Sequence, residues 1–272
     1  VIIETLSTFP EMYHSVMGAS MMKRAQDKGI ISFTAYDLRD WTYDRHRTTD
    51  DDPYGGGAGL VMKCQPIFEA VEDLSGKSAH YWEDEPACPR TGPAPRHADG
   101  PAPTVVFLAP QGQRFDDQLA NRLAKSKRLL FVCGHYEGID ERAYALADEV
   151  ISMGDYVLTS GELASMVVID AVVRKIPGVL GAEGGADDES FADGLLEYPQ
   201  YTRPAQFRGM EVPAPLTSGN HALVAQWRRQ QSLERTARFR PDLLEAAPLS
   251  DSDRAFLKTL NENGRDKGKA LS

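Results

Sequence analysis

No apolar run in the chain approaches the roughly 20 residues that a membrane-spanning helix needs. The opening VIIETLSTFPEMY lacks the basic start and apolar core of a signal peptide, so the chain reads as cytosolic. Cysteine is scarce. Cys64, Cys88 and Cys133 are odd in number and show no CxxC spacing, so neither a disulfide framework nor a zinc site is expected, and all three read as reduced thiols. Basic charge is in deficit, with 30 Lys and Arg against 40 Asp and Glu for a formal net charge of -10. That balance argues against indiscriminate nucleic-acid binding but leaves local basic patches open. Nucleotide-loop signatures are missing too. Tyr54-Gly55-Gly56-Gly57-Ala58-Gly59 is not followed by Gly-Lys-Ser/Thr and is not spaced as GxGxxG. Its glycines are expected to supply positive φ or a close approach of backbone instead.

The remaining composition is that of a globular protein, 42% hydrophobic and 26% charged over 272 residues, enough for one large domain or two modest ones. Residues 1–6 read as an opening strand, 8–12 as a turn into a helix ending near Lys28-Gly29, and 30–36 as a second strand. Residues 37–63 are too polar and Gly-rich for a core element and form a candidate functional loop. Within it Arg45, His46 and Arg47 beside Asp50, Asp51 and Asp52 make either a solvated mixed-charge loop or a nucleic-acid-facing edge. Residues 66–74 look helical. Residues 75–103 carry six prolines and read as a long surface loop with no chemistry assigned to its His80, Cys88 and His97.

Three apolar runs follow: 104–109 (TVVFLA) closed by Pro110-Gln111-Gly112, 128–133 (RLLFVC) closed by Gly134-His135-Tyr136-Glu137-Gly138, and 149–153 ending at Gly154-Asp155. Helices are expected over 115–126 and 161–175, the latter placing Leu163, Met166, Val167, Asp170 and Arg174 at helical spacing. Buried strands alternating with helices predict an α/β fold with a parallel sheet. Three strand ends finishing in Gly and polar residues are the pattern of a ligand site at the carboxyl edge of such a sheet. The strand, turn and helix of residues 149–174 are therefore the stretch where the chemistry is expected.

Residues 181–188 (GAEGGADD) read as a flexible linker. Beyond it, residues 197–240 hold seven Arg (203, 208, 228, 229, 235, 238, 240) against three Glu, a basic surface on an acidic chain that suits a phosphate-backbone partner. Ser218-Gly219-Asn220 should cap a helix running to about Thr236, and 253–272 should be a helix that frays.

Taken as a set, DRHRTTDDDPYGGGAGLVMK, LAPQG, CGHYEGIDER, SMGDYVLTSGEL, IPGVLG, SFADGLLEYPQYTRP and SGNHALVAQWRRQQSLERT resemble the bacterial tRNA (guanine-N1)-methyltransferase family in order and spacing, across nearly the whole chain. The resemblance implies a SPOUT-type α/β fold with a deep trefoil knot (residues 1–180), a linker (181–196) and a helical tRNA-binding domain (197–272). It implies a cytoplasmic homodimer with its active site at the subunit interface. S-adenosylmethionine would be bound by Leu108, Ala109, Pro110, Gln111 and Gly112, by Gly134, Tyr136 and Glu137, and by Met153, Gly154, Asp155, Tyr156, Val157 and Leu158 with Gly161. The reaction implied is methylation of N1 of guanosine 37 in tRNA. Arg174 matches the family's catalytic Arg, while the family's catalytic Asp corresponds to Glu189 here, with Asp188 the competing candidate if the register slips by one. Arg45, His46, Arg47, Arg203, Arg228, Arg229 and Arg235 are the implied tRNA contacts. Ser160 and Ala164 stand where the family usually has Gly and Pro. Magnesium is used in the family, but no metal-ligand spacing is visible. Two other functions stay open: a tRNA-binding homologue silenced by the change to Glu189, and a related methyltransferase acting on another RNA site.

Overall fold

The computed structural model describes residues 1–76, 100–180 and 189–269. The chain divides into two compact units, Val1–Gly181 and Ala182–Ser272. Residues 77–99 of the proline-rich segment, with His80, Cys88 and His97, lie outside the described residues, as do the proposed linker 181–188 and Asp188 within it.

The first unit is built on β1 (Ile2–Ser7), β2 (Ser32–Asp37), β5 (Thr104–Arg114), β6 (Arg128–Val132) and β7 (Glu149–Ser152), with β3 (Asp50–Asp51) and β4 (Val61–Met62) as a separate antiparallel pair. The five strands form one sheet in the order β2-β1-β6-β5-β7, and every pairing in it is parallel. Parallel strands need cover on both faces, and alternation along each strand delivers it. In β6, Leu129 and Phe131 face one apolar cluster and Leu130 and Val132 face the other; in β5, Val106 and then Val105 with Phe107 divide the same way. The first cluster is closed by α2 (Ser20–Asp27), α4 (Asp117–Leu123) and α5 (Gly161–Lys175), the second by α3 (Cys64–Ser75) and two short 3₁₀ turns. Lys175 ties α5 to Asp117 of α4 at 2.6 Å. Arg128 and Glu4 make a buried ion pair at 2.7 Å across the middle strands.

Three expectations are corrected here. First, β5 does not stop at Pro110. It runs on to Arg114, and Ile151 is paired both with Leu108 and with Gln113, so residues 109–112 bulge out of the ladder. Proline is tolerated at such a bulge because no ladder hydrogen bond is asked of it. Second, the helix after it is shorter than the apolar pattern suggested, Asp117–Leu123; the Asp116 carboxylate sets its start by accepting from Leu119 N. Third, the helix expected up to Lys28 is broken. A 3₁₀ turn (Pro10–Tyr13) leads into the single turn α1 (His14–Met17), which stops at Gly18 before α2 begins.

The second unit contains the short hairpin β8 (Gln206–Phe207) and β9 (Met210–Glu211), then α6 (Ala214–Thr217), α7 (His221–Phe239) and α8 (Asp251–Lys269). Asn220 caps α7 as expected, its side chain accepting from Ala222 and Leu223 N. Ser250 and Asp253 cap α8 reciprocally, each backbone N–H donating to the other's side chain. Leu195, Leu233 and Thr236 are buried. The Thr236 hydroxyl accepts from Leu196 N and donates to Ser232 O, fixing the segment before the hairpin against α7. Among the described residues no helix is long and apolar enough to cross a membrane.

Candidate active site

The carboxyl ends of β5, β6 and β7 open onto a common cleft of about 170 Å³. Each strand end contributes one segment. The bulge after Leu108 arises because Gly112 passes the β7 backbone too closely for any side chain: a Cβ there would lie 2.5 Å from Ile151 N and from the Val150 carbonyl. Residues 134–138 leave β6 in a loop whose Tyr136 has φ of 58°, a conformation that costs a non-glycine residue about 1–3 kcal/mol and persists only where neighbours hold it. They do: His135 N donates to Met62 Sδ, Glu137 N to Leu60 O, and the His135 ring lies 4.7 Å from that of Phe9. Residues 153–160 leave β7 and enter α5, whose first residue, Gly161, donates its N–H to Gly134 O at 2.7 Å. A Cβ on Gly161 would sit 2.6 Å from Gly134 N, so glycine alone allows helix and loop to touch.

The glycine-rich run is drawn into the same structure. Gly55, Gly56, Gly57 and Gly59 all have positive φ, and a Cβ on Gly59 would meet the Glu137 side chain at 2.4 Å. Gly59 therefore packs against the loop after β6, the close approach expected of the run.

Most of the cofactor residues named from sequence converge on the cleft: Leu108, Ala109 and Pro110; Gly134, Tyr136 and Glu137; Met153, Gly154, Tyr156, Val157 and Leu158; and Gly161. Gln111, Gly112 and Asp155 do not line it. Gln111 instead hydrogen-bonds Tyr144, a cleft residue whose hydroxyl is held above its ordinary pKa by burial, and Gly112 serves the strand crossing. His135, within the 134–137 loop, and Ser160 and Ala164, beside the cofactor segment, also line the cleft; sequence reasoning missed Ile139, Tyr144 and Thr159, along with Glu162, which is fully buried beside it. The Ser160 hydroxyl, His135 Nδ1 and one Glu162 oxygen are buried with no hydrogen-bond partner among the described residues, so polar atoms stand beside the apolar walls of the cleft. The donors therefore suit an amphiphilic cofactor: backbone and hydroxyl groups for polar edges, and Leu108, Ile139, Ile151 and Tyr144 for apolar walls.

Arg174, half-buried in the last turn of α5, is 13 residues beyond Gly161, about 20 Å along the helix axis. Within one chain it stands at the far end of α5 from the cleft. The predicted stripe also proves to be mostly the outer face of that helix: Leu163, Val167 and Asp170 are exposed and only Met166 is buried.

In the second unit Glu189 is half-buried and shares a small depression with Asp193, Arg228 and Arg229. Arg228 lies over the Tyr198 ring at 4.6 Å. Arg203 is exposed, and Arg235 is half-buried with its Nε unpartnered among the described residues. Arg229 is engaged otherwise, donating to both oxygens of Asp253 at 2.9–3.1 Å and to Asp193 at 2.5 Å. The guanidinium holds the Asp253 carboxyl down at about 2. In the first unit Arg45 and His46 are exposed, whereas Arg47 pairs with Asp40. Among the described residues no three His, Cys, Asp or Glu side chains converge as metal ligands.

Comparison with known proteins gives this geometry its family. The sequence model of the tRNA (Guanine-1)-methyltransferase TrmD family matches residues 1–246. The chain belongs to that family. It is 48% identical to the tRNA (guanine-N(1)-)-methyltransferase of Geobacillus kaustophilus, covering 94% of this chain and 96% of that protein. It is likewise 48% identical to the protein of the same name from Geobacter sulfurreducens, over 96% and 98% of the two chains. The Bacillus subtilis protein of that name is 46% identical over 94% and 97%. Family membership thus extends over both structural units.

Proposed function

We propose that this protein methylates N1 of guanosine 37 in tRNA, using S-adenosylmethionine held in the cleft. The observation that carries the proposal is the convergence of three strand-end segments, each shaped by a close glycine contact, on one amphiphilic cleft in a chain of this family. Membership of the family supports a knotted SPOUT topology for the first unit, with the linker over 181–196 and a helical tRNA-binding domain over 197–272.

When bound, S-adenosylmethionine supplies an electrophilic methyl group. Residues 108–110, 134–138 and 153–161 would hold it, with Ser160 Oγ available as an additional polar contact. Guanine N1 carries a proton, so a base must remove it while a cation stabilises the charge that develops on O6. Glu189 is the base in this proposal, with Asp188 its competitor, and Arg174 is the cation. The roughly 15 Å of helix between Ala164 at the cleft and Arg174 supports a homodimer in which each cleft is completed by the other copy's Arg174. The exposed apolar residues Leu163 and Val167 on the same helix face give such an interface its contact surface. Arg203, Arg228 and Arg235 are the better tRNA contacts. Arg229 is already committed to two carboxylates, so its role is to join α7 to α8.

The test is transfer of labelled methyl from S-adenosylmethionine to an unmodified transcript with G at position 37 and to the same transcript with A there. Label only on the first, located at N1, is expected. Label on neither, with tRNA and cofactor both bound, would replace the proposal with a catalytically silent tRNA binder.

A further inference from the structure

Glu162 is one residue past the Gly161–Gly134 contact and is fully buried. One oxygen accepts from Ser7 Oγ at 2.5 Å. The other, Oε2, lies 4.0 Å from His135 Nδ1, and both of these atoms are buried without a partner among the described residues. Two neighbouring hydroxyls are already engaged elsewhere. Tyr13 is engaged with Ser165 at 2.6 Å and Cys133 at 3.1 Å, and Ser165 Oγ donates to the Glu162 backbone carbonyl. A buried carboxylate oxygen left unpaired is among the more costly defects a folded protein can carry. Two facing orphans at 4.0 Å are one small ring rotation, or one bridging water with legs of about 2.8 Å, from satisfying each other.

We infer that Glu162 is a positioning residue for the cofactor loop: its Oε2 accepts from His135 Nδ1–H, directly or through one water, and pins residues 134–137 in their strained shape over the start of α5. The backbone bond from Gly161 N to Gly134 O and this side-chain bond then join the same two segments twice. The double join explains how Tyr136 keeps a left-handed conformation at the wall of the cleft. It also fixes the tautomer of His135, leaving Nε2 as an acceptor. The inference rests on the cleft being the S-adenosylmethionine site.

Three variants separate positioning from mere structure. Glu162→Met removes the acceptor at similar volume, Glu162→Gln keeps an oxygen that can accept, and His135→Phe keeps the ring against Phe9 but removes Nδ1. Calorimetry should show S-adenosylmethionine affinity reduced roughly 10- to 100-fold in Glu162→Met and in His135→Phe, no further in the double variant, and near wild type in Glu162→Gln. Nitrogen-15 spectra should show His135 as the Nδ1–H tautomer in wild type and Glu162→Gln, and not in Glu162→Met. A folded Glu162→Met protein with wild-type affinity and an unchanged His135 tautomer would overturn the inference, even if its melting temperature fell. If the wild type itself does not bind S-adenosylmethionine, the cofactor reading fails, and the tautomer comparison alone decides for or against the Glu162–His135 bond.

Discussion

Gly161→Ala sets two physical effects against each other with opposite signs. Alanine is the better helix former, by about 1 kcal/mol in a helix interior and less at a first turn, so propensity predicts a neutral or slightly stabilised protein. Packing predicts the reverse. The new Cβ would lie 2.6 Å from Gly134 N and 3.0–3.1 Å from the Cα and carbonyl carbon of Cys133. All three are backbone atoms at the end of a fully buried strand, and none can swing aside as a side-chain tip would. Overpacking of this kind costs about 1–3 kcal/mol. If the helix start backs away, the bond from Gly161 N to Gly134 O is lost as well, about 0.5–1.5 kcal/mol more. The net is destabilisation of about 1–3 kcal/mol, a melting temperature lower by roughly 2–12 °C, and a cleft whose two walls have parted. Thermal unfolding and calorimetric titration with S-adenosylmethionine read the two consequences separately. A variant as stable as wild type with unchanged affinity would refute the claim that loop and helix are pinned by contact at this glycine.

Two further outcomes follow from particular side chains. Glu189→Gln should abolish methyl transfer in a single-turnover assay while leaving cofactor affinity within about threefold of wild type; full activity would move the base to Asp188. Asp253→Asn should destabilise the second unit by about 1–3 kcal/mol, because it removes the charge that Arg229 grips, and denaturant unfolding measures it. The Asp253 carboxyl is depressed to about 2 in the folded chain. Its contribution is therefore complete above an ordinary carboxylate pKa of about 3.9 and is lost as pH falls from there through about 2. The wild type and the Asn variant should accordingly differ in stability at pH 6 and converge toward pH 2.

Much of this was legible in the residues. The continuous apolar runs of β5, β6 and β7 announced buried parallel strands, and the Gly-polar segments closing them identified the cleft, because strands buried on both faces must be apolar throughout and only their ends are free to vary. What sequence could not show depends on contacts between distant residues. Pro110 reads locally as a terminator, yet the strand resumes at Gln113, since a bulge asks no ladder bond of proline. Gly112 looks like a ligand glycine until the β7 backbone is placed beside it. Arg229 counts as one more surface charge until Asp193 and Asp253 fold onto it. Glu162 reads as an ordinary acid in a helix first turn, and only its complete burial beneath His135 gives it a task. Ile139 and Thr159 could have been found, as each lies inside a motif whose neighbours were assigned to the cofactor.

The most direct measurement takes Arg174→Ala and a Gly161 variant bulky enough to close the cleft, Gly161→Trp, checks that each alone is inactive, mixes them under conditions that exchange subunits, and follows methyl transfer to tRNA. If each cleft is completed by the other copy's Arg174, a mixed dimer carries one intact site, and activity should return to roughly a quarter of wild type after random exchange in a two-fold dimer. If Arg174 serves the cleft of its own chain, no site in any dimer is whole and the mixture stays as inactive as its parts.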